Sequence, residues 1–74
     1  MIEGRIQLEL LRAKERLQRS EAVVAQLVAA FRNDAMQARA LRYALAERDL
    51  MRRTCQALEL ALFGARAVGR IMNR

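Results

Sequence analysis

Leu10, Leu17, Val24 and Phe31 stand seven residues apart, and Ile6, Ala13, Ser20 and Leu27 fill the alternating positions between them. This 3-4 spacing brings all eight side chains onto one face of an α-helix. Most of the charges of the same segment, among them Arg12, Lys14, Glu15, Arg16 and Arg19, fall elsewhere on the wheel, and Glu15 precedes Arg19 by four, a favourable pairing. Proline is absent, glycine is confined to positions 4, 64 and 69, and Ala, Leu and Arg dominate. That vocabulary favours helix. The pattern predicts a helix from about Ile6 to Arg32 with one apolar face that another helix must cover.

Asn33-Asp34 interrupts the repeat. Either residue can cap a new helix, and Gln37 stands three after Asp34, as in a capping box. A second helix is expected over about residues 35–72, with Leu41, Ala44, Arg48, Met51, Cys55, Leu58, Leu62 and Ala65 on one face. The alternative is one continuous helix about 100 Å long at 1.5 Å per residue. A register argument favours a hairpin. If the chain reverses near Asp34, residues whose numbers add to about 68 face one another. Ala13 then meets Cys55, Val24 meets Ala44, Leu10 meets Leu58 and Ile6 meets Leu62. The one polar seam position of the first helix, Ser20, meets the one charged seam position of the second, Arg48. The expected fold class is therefore all-α, a two-helix antiparallel hairpin.

The stretch from Gln56 to Met72, "QALELALFGARAVGRIM", is apolar on nearly every side. With the first helix beginning at Ile6, opposite Leu62, the chain from Phe63 onward is expected to overhang. Tyr43, Leu50, Ala57, Ala61, Gly64 and Ile71 form a second stripe facing away from the first helix. Leaving Leu60, Phe63, Val68 and Ile71 in water would forfeit several kcal/mol, at about 1.5–3 kcal/mol for each fully buried large apolar side chain. These four residues are expected to form the contact of a homodimer, two hairpins making a four-helix arrangement.

The chain of 74 residues holds one domain at most. Ile2-Glu3-Gly4-Arg5 matches the recognition sequence of the protease factor Xa, so residues 1–5 are read as a cloning remnant and residues 6–74 as the hairpin domain. A natural start at Met1 is the alternative. A single cysteine, Cys55, rules out a disulfide within one chain and fits a reducing cytoplasm. No secretory segment follows the start, and the apolar run from Ala57 is too short to span a bilayer. No membrane association is expected.

The net charge of +6 is uneven: residues 6–34 carry +1 and residues 35–74 carry +5. Arg39, Arg42 and Arg53 fall within about 60° on the helical wheel, with Tyr43 close by. Three readings stand: a solvated face with Asp49 pairing to Arg53, a surface for an acidic protein partner, or a nucleic-acid surface. Arginine suits planar contacts to carboxylate or phosphate alike. No helix-turn-helix spacing, zinc-finger pattern or ribonucleoprotein motif accompanies it.

Nothing in the sequence points to an enzyme. Histidine is absent, as are a glycine-rich phosphate loop and a His/Cys cluster, so no catalytic residue, cofactor or metal is expected. Cys55, on the inner face opposite Ala13, reads as a buried structural thiol. Arg48 either extends outward beside Ser20 and Glu21 or forms a polar layer that sets the register.

The helices "LRAKERLQRSEAVVAQLVAAF" and "ALRYALAERDLMRRTCQALELALF", the junction "RNDAM" and the chain size resemble small helical anti-activators of LuxR-type quorum-sensing regulators, of the kind encoded by phages or plasmids. The resemblance covers the chain from Ile6 and is one of architecture, without a diagnostic motif. It implies a homodimer that binds a bacterial transcription factor and prevents its binding to DNA, and it assigns no binding residue. A second likeness, through "RRTCQALELAL" near the end of a hairpin, is to the helical co-chaperones of type III secretion needle subunits.

Overall fold

In the computed structural model, which describes residues 2–72, the chain forms two helices, α1 (Ile2–Ala29) and α2 (Ala35–Met72). They pack antiparallel into a rod 60 × 14 × 14 Å. Arg74, counted above in the basic half, lies outside the described residues.

The reversal is built from side chains that stand in for broken helical hydrogen bonds. Asn33 takes the left-handed conformation (φ 59°), which asparagine tolerates better than other non-glycine residues. Here lies the answer to a junction with neither glycine nor proline. Asp34 is the N-cap of α2. Its Oδ1 accepts from the Met36 amide at 2.7 Å, and its carbonyl accepts from the Ala38 amide at 2.9 Å. Gln37 does not close the expected capping box. Its Oε1 accepts from the Arg32 amide at 2.7 Å, and its Nε2 donates to the Ala30 carbonyl at 3.4 Å. It thereby ties α2 to the end of α1.

All seven expected seam positions of α1 from Ile6 to Leu27 are buried or half-buried, and so are all eight on α2. One core cluster contains Leu10, Ala13, Cys55 and Leu62, with Ile6, Leu17 and Leu58 packed against it. Both members of three expected layers are thus in the same cluster. Ser20, Val24 and Ala44 are buried nearer the turn. On the flank, Lys14 Nζ lies 3.8 Å from Glu59 Oε1.

Three expectations are corrected. Helix α1 begins at Ile2, four residues early, because residues 2–5 contain nothing that ends a helix and Glu3 sits favourably in its first turn. Arg66 Nε donates to Glu3 Oε1 at 3.1 Å, so α1 covers α2 as far as Arg66 and the overhang starts later than Phe63. Phe63 is still 74% exposed, because it points outward one residue after buried Leu62. At the other end α1 stops at Ala29 instead of Arg32, and Phe31 leaves the seam to sit at the turn, 39% exposed. The charges also pair differently. Arg48 bonds Asp49, at 3.5 Å from Nη2 to Oδ1, and neither Asp49–Arg53 nor Glu15–Arg19 is among the ion pairs of the described residues.

Candidate partner interface

Arg39, Arg42 and Tyr43 line a shallow surface depression of about 360 Å³ near the start of α2. Tyr43 is 73% exposed, and none of Arg39, Arg42 and Arg53 is in an ion pair among the described residues. Arg53 does not join the other three. It is ten residues beyond Tyr43, about 15 Å along the axis at the α-helical rise. The expected patch is therefore a cluster of three residues, with Arg53 an outlying third charge on the same side.

Leu60, Phe63, Val68 and Ile71 are all exposed, and they divide between directions. Val68 and Ile71 share one stripe. Phe63 lies about 80° from Ile71 and about 140° from Val68 around the helix, at 100° per residue. Leu60 falls between.

A basic row that sequence reasoning passed over borders the groove between the helices. Arg16 and Arg19 line a depression of about 370 Å³ with Ser20, Val23, Ala44, Glu47 and Met51. Arg12 and Arg16 line its continuation, of about 310 Å³. None of the three arginines is in an ion pair among the described residues. The signal was present in the 12, 16, 19 spacing, which places them on one side of α1.

The expected Ser20–Arg48 layer is not joined by a hydrogen bond among the described residues. Ser20 is buried, and the Arg48 side chain is 24% exposed with its head turned to Asp49. Its Nε is buried with no hydrogen-bond partner. Arg48 thus meets neither expectation in full: its head turns to its chain neighbour Asp49, and among the described residues no hydrogen bond joins it to Ser20 or Glu21. Cys55 is free and buried beside Ala13.

Among the described residues no group of three His, Cys, Asp or Glu side chains could hold a metal ion, and no helix is long and apolar enough to cross a membrane. What the surface offers is area. A folded monomer of this mass exposes about 4,700 Å², whereas the hairpin exposes 6309 Å². Among the described residues not one side chain is fully buried. Comparison with known families, characterised proteins and solved structures finds no match.

Proposed function

We propose that this chain is a cytoplasmic protein-binding regulator that works as a homodimer, without chemistry of its own, and inhibits a partner by occupying its surface. The most specific form of the proposal is an anti-activator that sequesters a bacterial transcription factor, with a LuxR-type regulator as the first partner to test. The observation that carries it is the surplus of exposed apolar surface on a hairpin with no fully buried side chain among the described residues. A chain of this shape gains burial from other chains, beginning with its own copy. The unpaired arginines beside Tyr43 supply the second contact, since arginine and tyrosine are prominent among residues that dominate binding energy.

The test is capture from bacterial lysate at moderate salt, with wild type compared against the double charge reversal Arg42→Glu, Arg53→Glu. Both positions are exposed, so helicity and dimer mass should be unchanged while capture of the regulator weakens at least tenfold. Full-strength capture by the double variant would reduce the patch to a solvated face. Retention on DNA at physiological salt, falling steeply as salt rises, with no protein captured, would move the assignment to a nucleic-acid binder.

A further inference from the structure

The two flanks of the hairpin differ in how their charges are met. On one flank, ion pairs cross between the helices: Lys14 Nζ lies 3.8 Å from Glu59 Oε1, and Arg66 Nε lies 3.1 Å from Glu3 Oε1. Lys14 is about 160° around α1 from Arg16 at 100° per residue, so the opposite flank is the groove walled by Arg12, Arg16 and Arg19. No ion pair crosses that groove among the described residues, and all three arginines are exposed and unpaired. Two carboxylates also line it. Glu9 is held by Arg5 at 3.7 Å, which leaves Glu47 alone against the row. The rest of the lining is chiefly apolar. Met51 borders both depressions and joins them, with half-buried Leu58 towards one end and Val23, 46% exposed, towards the other. Thr54 already donates its hydroxyl to the Leu50 carbonyl at 2.9 Å, so covering it strands no donor.

We infer that this groove binds an acidic amphipathic helix of another protein, laid along it as a third helix. Charge complementarity identifies the occupant. Each unpaired guanidinium can meet a carboxylate in a planar, two-bond contact. Arg12, Arg16 and Arg19 follow one another at steps of about 6 and about 4.5 Å along α1, at 1.5 Å per residue. Carboxylates at the same four- and three-residue spacing on a helix running alongside meet them in step. The apolar lining calls for a second stripe on the same helix, as in other helix-in-groove contacts. The basic and apolar walls of a groove between packed helices face an occupant from adjacent directions. An α-helix presents two adjacent stripes along its length, whereas an extended chain sends successive side chains to opposite sides. From Glu9 to Val23 the groove runs about 21 Å, room for about four helical turns. A second copy of the chain does not fit, because its net charge is +6 and its groove would bring another arginine row. A nucleic-acid strand would answer the arginines with phosphate and leave the apolar lining unused.

The groove deepens the protein-binding reading above, on which it rests, at a surface other than the Arg39–Arg42–Tyr43 depression. The probe is a fluorescein-labelled synthetic helix of about five turns, with leucines at 3-4 spacing and glutamates along one side of them. One control carries lysine for each glutamate, and another has the same composition in scrambled order. Binding to the full chain is read by fluorescence anisotropy at physiological salt. The glutamate helix should bind about tenfold or more tighter than either control. Arg12→Glu with Arg16→Glu should weaken it by about tenfold or more and should gain binding of the lysine helix. Arg42→Glu with Arg53→Glu changes the net charge equally, but these residues lie about 180° and about 160° around α2 from Met51, so both affinities should stay as in the wild type. All four positions are exposed, and unchanged helical circular dichroism checks the fold. Val23→Glu, a single change in the apolar lining, should also weaken the glutamate helix. Equal binding of the glutamate and lysine helices, or equal losses in the two double variants, overturns the groove. So does a loss in the Arg42, Arg53 pair alone, which leaves protein binding standing at the other patch. Tighter binding of duplex DNA than of the glutamate helix, lost with Arg12→Glu and Arg16→Glu, overturns the acidic helix in favour of nucleic acid.

Discussion

Replacing Arg48 should make the protein more stable. The Arg48 Nε–H is buried in the seam without a partner, and an unsatisfied buried donor costs about 1–3 kcal/mol. Against it stands the contact with Asp49 at 3.5 Å, where the two side chains are 24% and 49% exposed. Such a half-exposed pair contributes about 0–1 kcal/mol. Arg48→Met keeps most of the aliphatic stem, removes the orphaned donor and gives up the ion pair, for a net gain of about 1–2 kcal/mol. Arg48→Lys is the sharper probe. It places a methylene where arginine has Nε and keeps a positive charge within reach of Asp49, so it should gain about 1 kcal/mol. In a domain of this size each kcal/mol moves the thermal midpoint by about 4–8 °C. The assay is loss of helical circular dichroism on heating, with all variants at one protein concentration because the proposed self-association would make the midpoint depend on it. A lower midpoint in both variants would refute the reasoning. It would mean that the Nε–H is satisfied, or that the guanidinium holds the two helices in register.

Asp34→Ala removes the acceptor for the Met36 amide and should cost about 1 kcal/mol, read as a fall of about 4–8 °C in the same melting experiment. Asn33→Gly should be neutral or slightly stabilising at the positive-φ position, while Asn33→Val should lose about 1–2 kcal/mol, measured by urea unfolding; equal stability of the two would argue against the left-handed turn. Leu10→Ala should cost about 2–3 kcal/mol, at the lower end for a core leucine because Leu10 is not completely buried. A loss below about 0.5 kcal/mol in urea would show that the Leu10 cluster is not the core of the hairpin.

The helices, their faces and their register were legible in the sequence because a 3-4 repeat of apolar residues specifies which side of a helix is covered. Matching Ser20 with Arg48 and Ala13 with Cys55 was enough to choose a hairpin over a rod. The ends of α1 were not legible in the same way. Its start at Ile2 was hidden by the reading of residues 1–5 as a cloning remnant, although nothing in residues 2–5 ends a helix, and its stop at Ala29 depends on Asn33 turning left-handed and on Gln37 reaching back over the junction. Capping geometry of that kind is set by where two helices meet, and no local pattern states it. The candidate interface divides likewise. The composition of the basic patch could be read from α2 alone, but the distance of Arg53 from the Arg39–Arg42–Tyr43 depression follows from the rise of a straight helix. The row of Arg12, Arg16 and Arg19 became a groove wall only once α2 lay beside α1. The orphaned Nε of Arg48 belongs wholly to the tertiary structure, since whether a donor is satisfied depends on every atom that packing brings near it.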